Sequence, residues 1–202
     1  MDIIGKKYWY FIISGIIIIP GLVSFVLFGL NLSIDFTGGS VINFSYSNKI
    51  EESKFKDVFR KNGVIVHSVK YSGNDEISVR TNTIDQKKKT EVVDNLKKDF
   101  KGISEKSFDT VGPVIGNETK ANALKAVLIA SIAITFYIAY AFRKVSRPVA
   151  SWKFGVCAVI ALLHDVLVVV GVFSLLGHFL GVEVDSLFIT ALLTVMGFSV
   201  HD

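Results

Sequence analysis

Four long apolar segments constrain the fold of this chain more than any other feature of its sequence. Residues 8–34 include no charged side chain. As a helix rising about 1.5 Å per residue, residues 12–30 alone could cross about 30 Å of hydrocarbon. We therefore predict an α-helical integral membrane protein, with transmembrane helices at residues 8–30, 120–142, 154–176 and 186–202.

The first apolar segment begins with Tyr8, Trp9 and Tyr10, which suit a membrane interface. A cleaved signal peptide is the alternative, but its apolar region would be shorter, and no cleavage site of small residues follows. We expect an uncleaved helix that Pro20-Gly21 bends.

Residues 31–119 are polar and have the pattern of a soluble domain. Apolar residues repeat with a period of either two or about 3.6 residues, which separates strands from helices. The predicted strands are 39–46, 64–71, 76–83 and 106–111, and the predicted helices are 50–61 and 90–100. This βαββαβ order predicts a ferredoxin-like α+β domain with a modest core. The lysines at 87–89, 97 and 98 are expected to be mostly solvated.

Two glycine-containing stretches flank this domain and are predicted to be its structural joints. The first joint comprises Asp35, Phe36, Thr37, Gly38 and Gly39. Its Asp and Thr favour local turns, and its glycines allow close backbone approach. The second joint comprises Gly112, Pro113 and Gly116, and Asn117 is expected to cap the next helix. Contact with a partner protein is the alternative role for the first joint.

Positively charged residues in short segments predict the orientation in the membrane. Lys6, Lys7 and the basic residues of 143–153 belong on the cytoplasmic side, and an even number of crossings separates them. We therefore expect residues 1–7 and 143–153 to be cytoplasmic. The domain 31–119 and the loop 177–185 are then extracytoplasmic.

Two acid–imidazole pairs, His164-Asp165 and His201-Asp202, fall inside or at the edge of apolar segments. An ionisable side chain at the bilayer centre costs about 2.5–3.5 kcal/mol on insertion scales, so such residues are candidates for a proton path. Counted from the outer loop, the pairs lie ~20 and ~24 Å deep, which is nearly the same level. A structural role is the alternative for His164-Asp165, and exposure to cytoplasmic water is the alternative for Asp202. The small or weakly polar face Thr190, Thr194, Gly197 and His201 is expected to pack against another helix.

Other classes of function find no support in the sequence. The net charge is +4, but the lysines are mixed with acids, so nucleic-acid binding is not expected. The lone Cys157 cannot form a disulfide framework, and the two acid–imidazole pairs lack the spacing of a metal site. No nucleophile–base set, phosphate-binding loop or nucleotide motif occurs. We expect neither an enzyme nor a cofactor.

Four motifs resemble the SecF branch of the SecD/SecF family of protein-export membrane proteins, in the RND superfamily. They occur in the family's order over nearly the whole chain. They are Ile34-Asp35-Phe36-Thr37-Gly38-Gly39, the stretch from Val111-Gly112-Pro113 to Glu118, the stretch around His164-Asp165, and the stretch from Ala191 to Asp202.

The resemblance implies an accessory subunit of the Sec preprotein translocase that uses the proton-motive force to promote export across the cytoplasmic membrane. It implies SecD, the SecYEG channel, YajC or YidC, the translocating preprotein and the lipid bilayer as partners. It also implies that Asp202 carries the proton together with an arginine on a later helix, within a set of six transmembrane helices. We therefore expect the chain to be truncated after its fourth helix.

His201 departs from the family, which often has Asn there. An RND-type exporter of small molecules or lipids is the alternative, and a purely structural assembly factor is a third.

Overall fold

The structure is a computed structural model that describes residue 5 and residues 7–47, 50–73, 75–141, 143 and 151–201. The chain divides into a unit of residues 1–33 and 121–202, here called the membrane unit, and a unit of residues 34–120, here called the polar unit. The helices are α1 Lys7–Phe28, α2 Ile34–Thr37, α3 Glu52–Lys61, α4 Gln86–Asp99, α5 Pro113–Ala141, α6 Ser151–Leu180 and α7 Ser186–His201. The strands are β1 Gly39–Tyr46, β2 Val66–Ser72, β3 Glu76–Thr81 and β4 Ile103–Val111.

Three helices of the described residues are long and apolar enough to cross a membrane: α1, α5 and α6 from Gly155 to Leu180. The shorter helix α7 is also apolar. α1 continues through Pro20 without interruption. Many large apolar side chains along α1 and α5 are exposed, which is the pattern of helices surrounded by lipid or by other apolar helices.

Helices α1 and α6 pack side by side and run in the same direction. Three hydrogen-bonded contacts between the first apolar segment and the α6 region join residues 150 positions apart. Because the offset stays constant as both chains advance, the two helices are parallel. A parallel bridge between Leu32 and Val184 continues this pairing beyond the helix ends.

Helix α7 packs on α6 through a face that the sequence did not indicate. Phe188, Leu192 and Met196 are buried at helical spacing, and the Phe173 and Phe188 rings lie 4.5 Å apart. Thr190, Thr194 and Gly197 are exposed in the described part of the chain, so the packing of this face against another helix stays a prediction. The Thr194 hydroxyl instead donates to the carbonyl of Thr190 in its own helix. Larger apolar side chains bury more surface, which explains the preference.

The polar unit is a four-stranded antiparallel sheet in the order β2-β3-β1-β4, and the predicted βαββαβ fold is confirmed. Alternate residues of β1 and β3 point toward α3 and α4, as the period-two pattern predicts. The core contains Ile42, Phe44, Ile77 and Val79 from the strands with Phe55, Phe59, Val92 and Leu96 from the helices.

The structure corrects three local predictions. Residues 34–37 form the short helix α2, where only a turn was expected. Helix α4 begins at Gln86 because the Asp85 carboxylate accepts the Lys88 backbone N–H at 2.7 Å. Helix α5 begins at Pro113, so Asn117 lies inside the helix and does not cap it. Proline suits a first helical position because its missing N–H would have no partner there.

Lys89 also departs from the prediction that the lysines of α4 are solvated, because it is buried. Its Nζ donates to both oxygens of Glu105 at 2.9 and 3.0 Å and lies 5.6 Å from the centre of the Phe108 ring. The two side chains are only 11% and 24% exposed, whereas those of the Lys106–Glu76 pair are 47% and 45% exposed. The first pair is therefore the one that is shielded from water.

Glu105→Ala is expected to destabilise the polar unit by about 1–3 kcal/mol, because it leaves the Lys89 ammonium buried without its carboxylate. Glu76→Ala is the matched control, since it removes the exposed carboxylate that raises the pKa of Lys106. Solvent screens such a pair, so little change is expected. Proteolysis in increasing urea would compare the two variants. Equal losses of stability would contradict the argument.

Candidate functional site

The His164-Asp165 pair lies in the middle of α6. His164 Nδ1 lies 2.9 Å from Asp165 Oδ1, and both side chains are partly buried. The adjacent residues therefore bond to each other.

Two serines from neighbouring helices complete this site. Ser14 Oγ of α1 is hydrogen-bonded to His164 Nε2. Ser199 Oγ of α7 donates to Asp165 Oδ2 at 2.6 Å. The result is a continuous chain, Ser14–His164–Asp165–Ser199, which we call the polar relay. It links three otherwise apolar helices.

The sequence did not single out Ser14 or Ser199. Hydroxyl groups are common in membrane helices and usually bond to their own backbone, so a single serine carries no signal of its partner. The partners here are 150 and 34 residues away in the chain. Only the helix packing brings them together.

The second predicted pair is only partly within the described residues. His201 is the last residue of α7, and neither its side chain nor Asp202 belongs to the described part of the chain. Ser199 precedes Asp202 by three residues, which is roughly 4.5 Å along a helix. The relay therefore reaches α7 within one turn of the sequence position of Asp202.

Close backbone packing fixes how α1 is aligned along α6, and so which residue of α1 lies beside His164. A Cβ atom at Gly21 would lie 2.7 Å from Gly171 Cα, so the two helices touch backbone to backbone. Beside this contact, the hydroxyls of Ser24 and Ser174 lie 2.9 Å apart, and Ser174 donates to the carbonyl of Gly29 at 2.8 Å. Small residues allow such an approach in lipid, and their hydrogen bonds hold it.

The two predicted joints lie together in the polar unit. Gly38 ends α2 with a φ of +71°, and its N–H donates to the Ile34 carbonyl at 2.8 Å. A Cβ there would lie 2.7 Å from Pro113 Cα, and a Cβ at Gly116 would lie 2.7 Å from Gly38 N. The stretches before β1 and at the start of α5 are therefore in direct backbone contact.

The other predicted joint residues have different environments. A Cβ at Gly39 would lie 2.8 Å from the Thr81 carbonyl oxygen, whereas a Cβ at Gly112 would meet nothing within 4 Å. Phe36 is buried, and Arg80 donates a hydrogen bond to the Thr37 hydroxyl. Asp35 is the first acidic residue of α2. Gly112 is thus the one predicted joint glycine that close packing does not require.

Metal binding has no support in the described residues, where no three His, Cys, Asp or Glu side chains are grouped to hold an ion. The relay contains only one imidazole and one carboxylate, with hydroxyl groups at its ends. These groups are joined by hydrogen bonds, and only the imidazole and the carboxylate among them are ionisable near neutral pH.

Comparison with known proteins gives matches over the whole chain. Residues 89–202 match the family described as "Protein export membrane protein SecD/SecF, C-terminal", and residues 23–50 match the "SecD/SecF GG Motif". The protein translocase subunit SecF of Thermobaculum terrenum is 40% identical over all of this chain and 67% of its own length. The corresponding subunit of Anaerolinea thermophila is 42% identical over all of this chain and 66% of its own length.

The crystal structure of SecDF from Thermus thermophilus, a translocon-associated membrane protein, matches with a TM-score of 0.73 and 26% identity. The match covers 98% of this chain and 26% of SecDF. Compared with the two SecF relatives above, the chain spans about two thirds of their length. With four tenths of its residues identical to a SecF subunit over its full length, the chain belongs to the SecD/SecF family of protein-export membrane proteins.

Proposed function

We propose that this chain is part of an accessory subunit of the Sec preprotein translocase that uses the proton-motive force to promote export. The relatives at 40% and 42% identity are named as translocase subunits, which supports the role in translocation. The observation that carries the coupling to protons is the polar relay, an acid–imidazole pair bonded to two further apolar helices. Ionisable groups held inside a membrane bundle are typical of proton paths.

The proposed mechanism starts at Asp202, which directly follows α7 in the sequence. When Asp202 gains or loses a proton, the charge at the end of α7 changes, and the bonds that α7 makes with α6 respond to it. Asp165 is the first group of α6 that this change of charge affects, because it is bonded to Ser199, three residues before Asp202. The two joints, near residues 35–39 and 112–117, then transmit the change in helix packing to the polar unit, the first of them from α1.

The proposed orientation in the membrane follows from the charge pattern and the helix directions. Lys7 at the start of α1 and Lys153 near the start of α6 lie at the same end of two parallel helices. The positive-inside rule places that end in the cytoplasm and residues 31–119 outside it. The inner membrane, SecD, the SecYEG channel, YajC or YidC and the exported preprotein are the proposed surroundings.

Asp202→Asn in the full-length protein is expected to abolish proton-driven stimulation of export while leaving the subunit in the membrane. An asparagine amide is similar in size to a carboxyl group, but it does not switch between a neutral and a charged form near neutral pH. The test is export of a reporter preprotein in cells, with membrane abundance checked, beside Asp165→Asn. Normal export in both variants would show that the acids are packing features, and the chain would then be a scaffold.

The alternative function is that of an RND-type exporter of small molecules or lipids. The one feature that would suit it is an acidic residue inside the membrane. The names of the relatives favour the translocase. Co-purification separates the two proposals, since a stable complex with the Sec channel supports the first. An exporter would be isolated without the channel and would confer resistance to its substrate.

A further inference from the structure

We infer that Ser14 and Ser199 are positioning residues that hold His164 in one tautomer and make the His164-Asp165 pair a store for a single proton. The inference concerns the state of the relay itself, and its consequence for export rests on the proposed function. It adds two residues, on α1 and α7, to a pair that lies entirely on α6.

The hydrogen-bond roles follow from the number of donors available. With Asp165 ionised, its carboxylate only accepts, so both groups bonded to it must donate. Ser199 Oγ donates to Oδ2 at 2.6 Å, and His164 Nδ1, 2.9 Å from Oδ1, must therefore carry a hydrogen. In a neutral imidazole, Nε2 is then the acceptor. Ser14 Oγ, which is bonded to Nε2, must donate its hydroxyl hydrogen.

This arrangement accepts one proton with a single rearrangement. The proton adds to Nε2 of His164, and the Ser14 hydroxyl rotates from donor to acceptor. Nδ1 continues to donate to Asp165, and Ser199 continues to donate to the other oxygen. The net charge of the pair changes from −1 to zero, and no other partner in the relay has to turn.

Few other ionisable residues occur in the sequences of the three helices that form the relay. On α1 these are Lys7, Tyr8 and Tyr10, all before Ser14 at the start of the helix. On α7 they are His201 and, just after the helix, Asp202. α6 itself adds Lys153, Cys157 and His178, each about two or more helical turns from His164. The two hydroxyls are thus the direct partners that set the state of the pair in the described part of the chain.

The first test is nitrogen NMR of the full-length protein, labelled with ¹⁵N-histidine, in lipid nanodiscs. The chain has 4 histidines, and a His164→Gln variant identifies the His164 signals. We expect the Nδ1–H tautomer in the wild type and a mixture of tautomers in Ser14→Ala. Ser14→Thr should restore the wild-type spectrum, because it returns the hydroxyl.

Ser24→Ala is the matched control. Ser24 is also an α1 serine that is bonded to α6, at Ser174, but it lies away from the relay. It should leave the His164 signals unchanged. An unchanged tautomer in Ser14→Ala, or an equal change in Ser24→Ala, would overturn the inference.

The second test measures proton-driven export in Ser14→Ala and Ser199→Ala. Thr194→Ala is the control, because the Thr194 hydroxyl bonds within its own helix. Hydrogen bonds to charged groups are worth enough that we expect about a tenfold loss of proton-driven export in Ser14→Ala and Ser199→Ala. Export at the wild-type rate in both would contradict a coupling role.

The two proposals fail in different ways. If Asp202→Asn exports normally, the proposed function fails, while the tautomer measurement still decides the state of the relay. If Asp202→Asn abolishes export and Ser14→Ala leaves the tautomer unchanged, only the inference about the serines fails.

Discussion

Gly21→Val and Gly171→Val are each expected to separate α1 from α6 and to deplete folded protein from the membrane. A Cβ at Gly21 would lie 2.7 Å from Gly171 Cα, and a Cβ at Gly171 would lie 2.9 Å from Gly21 Cα. Both neighbours are backbone atoms of a helix, so neither can turn aside as a side chain could. Forcing extra atoms into a close-packed contact typically costs roughly 1–3 kcal/mol, and more where the backbone must shift.

The loss extends beyond the contact itself. If the helices move apart at Gly21, the Ser24–Ser174 bond one turn further along is stretched, and so is the bond from Ser174 to the Gly29 carbonyl. Ser14, two turns before Gly21, then loses its position beside His164. Folding of the membrane unit and the relay are expected to fail together.

Each helix offers a matched glycine for the control. A Cβ at Gly15 of α1 would meet only the end of the Ile19 side chain at 3.9 Å, and one at Gly155 of α6 would meet nothing within 4 Å. Gly15→Val and Gly155→Val should accumulate normally. Membrane abundance and thermal stability in detergent would compare all four variants. Accumulation of Gly21→Val at the level of Gly15→Val would refute the backbone contact.

The elements of this fold could be predicted where a period of apolar residues marks them. Alternation in Gly39–Tyr46 predicted β1 with its observed bounds, and the order of elements predicted the ferredoxin-like sheet. The ends of helices were less predictable, because a cap depends on which donor is left without a partner. Asp85 and Pro113 fill such positions at α4 and α5, and neither was predicted to do so.

The site was predictable only in its ionisable members. His164 and Asp165 stand out because charge is rare in an apolar segment. Their partners do not, since Ser14 and Ser199 resemble any other hydroxyl group in a membrane helix. The role of Gly21 was also missed, because a glycine after Pro20 suggests a bend and gives no sign of a neighbour at Gly171. Information about pairs of helices is absent from the pattern of either helix alone.

Gly38→Ala is expected to destabilise the polar unit by roughly 2–5 kcal/mol. The residue has a φ of +71°, and an L-residue with a side chain there costs about 1–2 kcal/mol. The new Cβ would also lie 2.7 Å from Pro113 Cα, which adds roughly 1–3 kcal/mol of packing strain. The strain falls where α2 leads into β1 and where α5 begins, so relief would require moving one of these elements.

Gly116→Ala tests the same contact from the other side. Gly116 lies inside α5, where alanine is the better helix former, so propensity alone predicts a gain of about 1 kcal/mol. The Cβ would lie 2.7 Å from Gly38 N, and we expect this clash to outweigh the gain. A net loss of stability in Gly116→Ala would therefore identify the contact, and not the backbone angle, as its cause.

Gly112→Ala provides the control within the second joint. A Cβ at this position would have no atom within 4 Å, and the φ of Gly112 is outside the left-handed region. Replacing such a glycine restricts the unfolded chain, so a gain of about 0.4–1 kcal/mol is expected. Proteolysis in urea of the full-length protein in detergent would rank the three variants. If Gly112→Ala lost as much stability as Gly38→Ala, the joint would depend on glycine flexibility throughout, and the close backbone contact would not be what holds it.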